Sequence, residues 1–349
     1  MRVDLFDFAL PERLIAQRPA VPRDAARLLH LPRSGAAVEH VVRDLPDLLR
    51  PGDLLVFNDT RVIPARLYGQ RESGGKVEAL LLQPAGAGSW TAMARGTAKL
   101  RQGMRLAFEG GLSAVVTAFG ADGTITLDFG LSDGVVLAAL HAHGHMPLPP
   151  YIRGGRDDAR DRDDYQTIMA RRDGAIAAPT AALHFTDGLL ERLRGAGIAT
   201  ATVTLHVGIG TFQPVRVEDT DAHVMHTEHG ELGPETVATI ETCRARGGRV
   251  VAVGTTSLRV LEAVAQRRDG ALRPWRGDID LFITPGFRFR AVDLLMTNFH
   301  LPCSTLFMLV SAFAGLQRMQ AFYAEAIARD FRFYSYGDAS LLERWEAPV

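Results

Sequence analysis

The apolar positions of this chain come in short runs, and most of the runs end in a cluster of polar side chains. Leu281-Phe282-Ile283 stops at Thr284-Pro285-Gly286, which reads as a buried strand closed by a turn. A second run, Val292 to Met296, reads as another strand and leads into Thr297-Asn298-Phe299-His300-Leu301-Pro302. Ser304 and Thr305 then stand before an apolar run from Leu306 to Phe313 that closes at Gly315, an N-cap signal and a C-cap signal around a buried helix. The same grammar recurs upstream. A strand over 53–57 ends in Asn58-Asp59-Thr60-Arg61, and an alternating strand near 199–206 ends in His206-Val207-Gly208-Ile209-Gly210-Thr211. A strand from Arg249 to Val253 runs into Gly254-Thr255-Thr256-Ser257 and a helix that carries Arg259. Polar groups at the C-terminal ends of strands are where open α/β sheets bind ligands.

Between about 63 and 129 the texture changes. Segments such as KVEALLLQPA, MRLAFEG and GTITLDFG are short, β-prone and punctuated by glycine, as in a small barrel or sandwich. The predicted architecture is therefore a mixed α/β main domain built from 1–62 and 150–349, with a small all-β barrel inserted over 63–149. Residues 4–18 have helix-like spacing after Pro11, and 153–164 (RGGRDDARDRDD) reads as an exposed linker. His184-Phe185-Thr186-Asp187 precedes a helix, with Thr186 or Asp187 as its N-cap.

Composition narrows the chemistry. A formal charge of -1 excludes a uniformly basic nucleic-acid binder but not a local patch. One basic stretch has no acid in it: Arg95, Lys99, Arg101 and Arg105. Two cysteines in 349 residues exclude a disulfide framework and a cysteine metal site, and suggest a reducing compartment. No apolar run approaches the ~20 residues of a membrane span and the start is not signal-like, so a cytoplasmic location with no membrane association is expected. His141, His143 and His145 would share one face of a strand, and His223, His226 and His229 recur in steps of three. Neither set has the flanking ligands of a zinc site, and no bound metal is expected. Gly208-x-Gly210 lacks the third glycine of a dinucleotide fingerprint, since Gln213 stands in its place.

Taken together, DLLVFNDTRVIPARL, AIAAPTAALHFT, LHVGIGTFQPV, HVMHTE, VGTTSLRVLE, TPGFRFRAVDLLMTNFHLPCSTL and FRFYSYGD, in this order, resemble the S-adenosylmethionine:tRNA ribosyltransferase-isomerase family of the queuosine pathway. The likeness spans essentially the whole chain. Cys303 stands where that family usually has lysine, Ala182 where it has glycine and Ala26 where serine is common. The resemblance implies a transferase of tRNA modification. It would move the ribosyl group of S-adenosylmethionine onto 7-aminomethyl-7-deazaguanine at the tRNA wobble position, giving epoxyqueuosine and releasing adenine and methionine. S-adenosylmethionine is then a substrate, no prosthetic group is implied, and the partner is the tRNA anticodon stem-loop, with the chain acting as a monomer.

That chemistry needs a base for the ribose proton beside the sulfonium and an acid for departing adenine, and histidine suits both near neutral pH. His206 or His300 is expected to serve, with His184 and His226 next and Glu228 assisting. Asp59, Thr60, Phe185, Thr186, Gly208, Gly210, Thr211, Thr255, Thr256, Thr284, Pro285, Gly286 and Asn298 are expected to line the nucleoside site. Arg61 and Arg259 are candidates for the methionine carboxylate or an RNA phosphate. The RNA is expected along the basic strand Arg95–Arg105, with Phe287, Tyr334 and Tyr336 available for stacking. A metal-dependent hydrolase and a noncatalytic RNA-binding module are the competing readings.

Overall fold

The computed structural model describes residues 1–95, 99–120, 123–208, 215 and 217–345. It divides into two compact units: 1–61, 166–172 and 178–349 form one, and 62–165 with 173–177 the other.

The first unit is α/β. Among its described residues, nine strands form one sheet in the order Trp275–Ile279, Glu228–Leu232, Ala199–His206, Leu54–Asn58, Val250–Val253, Leu294–Asn298, Ala339–Glu343, Arg27–Leu31 and Val38–Val41. The four strands Ala199–His206, Leu54–Asn58, Val250–Val253 and Leu294–Asn298 run parallel, so their C-terminal ends share one edge. Ala339–Glu343 runs antiparallel to Leu294–Asn298, which brings its start, and Asp338 before it, to that same edge. Leu54–Asn58 is buried throughout because both faces are covered. Leu54 and Val56 join the core that includes the helices Thr255–Gln266, Thr305–Ala314 and Leu316–Ala328. Leu55 and Phe57 point the other way, to the core under the helix Asp187–Gly195.

The second unit is a closed six-stranded barrel: Ile125–Asp128, Ser89–Arg95, Lys76–Gly86, Arg66–Arg71, Arg105–Phe108 and Ser113–Phe119, which returns to the first. Strict alternation fills it. Val77, Ala79 and Leu81 face inward with Ala92, Leu106, Val116, Ile125 and Leu127. The change of texture after residue 62 is thus a change from buried parallel strands to half-buried barrel strands. No helix among the described residues is long and apolar enough to cross a membrane.

Four local expectations are corrected. Leu281-Phe282-Ile283 is not a strand; the strand is Trp275–Ile279, and the apolar run after it packs as irregular chain against the core. Residues 4–18 hold only two 3-10 turns, Val3–Phe6 and Glu12–Leu14, because the chain turns extended at Ile15, where Leu14 and Ala16 hydrogen-bond the backbone of Phe333. His141 and His143 end the helix Asp133–His143 and do not alternate on a strand. The 153–164 segment is anchored: Asp161 is fully buried, pairs with Arg153 and accepts the Asp158 N–H at 2.8 Å.

Candidate functional site

The shared edge of the four parallel strands carries the polar residues singled out by the sequence. Two hydrogen-bonded groups stand there, with a third element between them.

The first forms where Leu54–Asn58 and Ala199–His206 end. Backbone pairing between the two strands stops as the Asp59 N–H reaches the Val203 carbonyl at 2.9 Å. The Asn58 side chain then continues it, donating to the Leu205 carbonyl at 2.9 Å and accepting the Leu205 N–H at 3.0 Å. Beyond this, Thr60 Oγ1 lies 3.0 Å from His206 Nδ1, and Thr204 Oγ1 donates to Asp59 at 2.7 Å. Burial lowers the His206 pKa, helped by the nearby His229, Arg172 and Arg276, while Asp59 opposes the shift. His206 is therefore neutral at pH 7 and offers a lone pair.

The second group forms at the end of Leu294–Asn298. Thr180 Oγ1 donates to Asn298 Oδ1 at 3.0 Å, and Asn298 Nδ2 faces His184 Nε2 at 3.3 Å. His300 Nε2 sits 3.0 Å from Thr297 Oγ1, and its backbone N–H donates to the Tyr323 hydroxyl at 2.9 Å. Burial pushes His184 down to about 4, only partly opposed by Asp338, and desolvation pushes His300 down to about 3. Neither ring reaches a neutral solution carrying a proton to give.

Between the two groups, Val250–Val253 turns into the helix Thr255–Gln266 through Gly254, whose φ of 88° is costly for any side-chain-bearing residue. Thr256 Oγ1 is buried there without a hydrogen-bond partner among the described residues. One helical turn on, Arg259 pairs with Glu228, and Nε donates to the Leu281 carbonyl at 3.3 Å. Nη2 of Arg259 is buried and has no partner among the described residues. The other oxygen of Glu228 accepts the Gly208 N–H at 3.0 Å, tying the end of one strand to this helix.

Asp59, Thr60, His206, Gly208, Glu228, Thr255, Thr256, Arg259, His184, Asn298 and His300 thus all lie on or beside one sheet edge. Thr284, Pro285 and Gly286 form a turn three residues beyond the Leu281 carbonyl that Arg259 holds, closed by the Phe287 N–H on the Thr284 carbonyl. Gly210 and Thr211 lie outside the described residues. Four candidates stand apart from the cluster. Phe185 is a core side chain, packed edge-on against Phe57 at 4.8 Å. Thr186 caps the helix Asp187–Gly195 and donates to Asp24 at 3.0 Å. Arg61 donates to the Ala170 carbonyl at 3.1 Å, and His226 is exposed on the approach to Glu228–Leu232. Tyr336 is buried, which removes it from any stacking role, whereas Tyr334 and Phe287 stay partly accessible. Sequence reasoning missed Thr180, Thr204, Tyr323 and Asp338. Thr180 and Asp338 sat inside motifs already quoted, and only the fold shows which group each one serves.

A family model described as "Queuosine biosynthesis protein" matches residues 3–342. The chain belongs to the queuosine biosynthesis protein family. Among its relatives in that family, S-adenosylmethionine:tRNA ribosyltransferase-isomerase of Methylobacterium sp. (strain 4-46) is 59% identical over 361 residues, covering 99% of each chain. The protein of the same name from Rhodospirillum rubrum is 59% identical over 348 residues and covers both chains fully. The crystal structure of S-adenosylmethionine tRNA ribosyltransferase from Thermotoga maritima is similar at 38% identity and a TM-score of 0.57, covering 97% of this chain and 99% of that one. The family match thus takes in both compact units.

Proposed function

We propose that this member of the family joins the ribosyl group of S-adenosylmethionine to the aminomethyl group of 7-aminomethyl-7-deazaguanine at the tRNA wobble position, giving epoxyqueuosine. A cytoplasmic monomer acting on the anticodon stem-loop completes the reading. Full-length identity to enzymes of that name supports it. The observation that carries it is the row of strand ends, with His206 at one side and His184, Asn298 and His300 at the other. Four neighbouring strands at about 4.8 Å spacing set those sides about 14 Å apart, a span suited to a nucleoside bearing an amino-acid tail.

In this reading His206 is the base. The sulfonium acidifies the adjacent ribose carbon, and a neutral imidazole takes its proton. The C–N bond to adenine breaks, and the protonated His206 returns that proton to the departing base. In the same elimination the ring C–O bond opens, leaving an aldehyde and a vinyl sulfonium. The aminomethyl nitrogen adds to the vinyl carbon remote from sulfur and sheds its own proton to solvent. The carbon bearing sulfur closes onto the aldehyde carbon, and the alkoxide so formed displaces methionine, the C–S bond breaking as the epoxide C–O bond forms. His184 and His300, held neutral, position ribose or adenine through Asn298 and Thr297. Nη2 of Arg259 and the Thr256 hydroxyl, both without a partner among the described residues, take the methionine carboxylate and a polar group of the nucleoside respectively.

The test is incubation with S-adenosylmethionine and tRNA bearing the precursor base, with adenine measured. Stoichiometric adenine is expected, and its absence rejects the reading. His206→Ala should slow single-turnover product formation by about 10²–10⁴-fold with tRNA affinity retained. Near-normal turnover in that variant removes His206 from the base role.

A further inference from the structure

The barrel unit has a cleft of its own. It encloses about 400 Å³, within the range of small-ligand sites, and is lined by Arg66, Tyr68, Glu78, Arg95, His145 and Arg156 with the 154–157 loop. Its floor is a row across three adjacent strands on the outer face: Tyr68 lies opposite Glu78, and Glu78 opposite Arg95. Arg66 is 8% exposed, and its two terminal nitrogens are fixed on the carbonyls of Gly155 and Leu148. Its Nε is buried with no hydrogen-bond partner among the described residues and faces Glu78 at 3.6 Å. Glu78 reaches Arg95 only at 3.5 Å. An inward-facing donor and a carboxylate thus meet at distances too long for good hydrogen bonds. Arg156 is exposed and pairs with no carboxylate among the described residues. At the wall, His145 bridges Asp157 at 2.9 Å and Glu109 at 3.0 Å, its ring edge-on to Tyr68 at 4.8 Å.

We propose that this cleft binds one ribonucleotide unit of the RNA strand other than the reacting one. A phosphodiester answers Arg95 and Arg156, a ribose hydroxyl or base amino group donates to Glu78, and the base lies against Tyr68. An aromatic group beside exposed guanidinium groups on a barrel face is a single-strand platform, and a carboxylate among them selects a ligand that also donates. The assignment rests on the proposed RNA substrate.

The experiment uses full-length protein and a stem-loop RNA carrying the precursor base, with affinity read by fluorescence anisotropy and turnover by adenine release. Arg156→Glu, at an exposed position, should weaken RNA binding about tenfold while the KM for S-adenosylmethionine and kcat at saturating RNA stay unchanged. The isosteric Glu78→Gln should lose affinity for all-ribose RNA and lose less for RNA with deoxyribose at single-stranded positions. Both variants binding RNA within about twofold of wild type, with adenine still released, overturns the cleft assignment alone. No adenine from wild type rejects the functional reading instead, while the binding arm still decides the cleft. Free adenosine or uridine monophosphate bound in an Arg156-dependent way, with RNA affinity unchanged, assigns the cleft to a free nucleotide and overturns the RNA assignment.

Discussion

Two histidines at the sheet edge, His184 and His300, are kept uncharged by burial. His184 has a folded pKa of about 4 against about 6.5 in an unfolded chain. The unfolded state therefore binds the proton first as pH falls. Stability from this residue is intact above about pH 6.5, declines between there and about pH 4, and is constant below, a loss on the order of 3 kcal/mol. The His184→Gln variant should show a correspondingly shallower decline in its denaturant midpoint between pH 7 and pH 4.5. Equal slopes for the two proteins would contradict a buried neutral ring. Residue identity at this edge was readable because the polar groups end apolar runs. Residue role was not: Glu228 looked like a catalytic helper, yet it is occupied by Arg259 and the Gly208 N–H. Thr186 looked like a ligand contact and is a cap. A sequence marks a polar side chain but not the partner that consumes it.

At the scale of elements, one buried carboxylate fixes a long connection. Glu262, on the helix Thr255–Gln266, accepts the backbone N–H groups of Arg290, Ala291 and Val292 at 2.9, 2.9 and 3.0 Å. It thereby holds the stretch that follows Thr284-Pro285-Gly286 against the helix that begins at Thr255. Glu262→Ala leaves three donors unsatisfied and should cost about 3 kcal/mol or more, with faster amide exchange at 290–292. Glu262→Gln keeps one oxygen and should cost about 1 kcal/mol. Unchanged exchange in the alanine variant would show the connection to be held by other contacts. The strands after residues 53, 199, 249 and 292 were legible from their apolar runs, and the helices from their caps. The run Leu281-Phe282-Ile283 misled because burial without a neighbouring strand gives the same pattern. The 153–164 segment misled for the opposite reason, since its density of charge hid a fully buried Asp161.

For the whole molecule, the formal charge of -1 means that RNA attraction must be local. Three or four arginine–phosphate contacts, as proposed for the barrel unit, predict that log affinity falls with log salt at a slope of about -2 to -3. A slope near zero would remove Arg95, Arg101, Arg105 and Arg156 together from RNA binding. The partition into an α/β unit and a closed barrel was visible in the sequence because buried parallel strands and half-buried barrel strands have different periods. The topology was not. Nothing in the spacing of the runs says that Ala339–Glu343 enters antiparallel beside Leu294–Asn298, and that reversal is what delivers Asp338 to the edge where His184 sits.

Asn58 acts as a ruler. Its carboxamide imitates one more peptide unit, so the chain that leads to His206 is held on this side for two residues after its pairing with Leu54–Asn58 has ended, while Glu228–Leu232 pairs with it on the other. Asn58→Asp preserves the shape but turns the donor that meets the Leu205 carbonyl into a second acceptor. The side of the tip that faces Asn58 should then open, at a cost of about 3 kcal/mol or more, with turnover falling further than RNA affinity. On the proposed role of His206, part of its reach is set by an amide that never needs to touch the reactants.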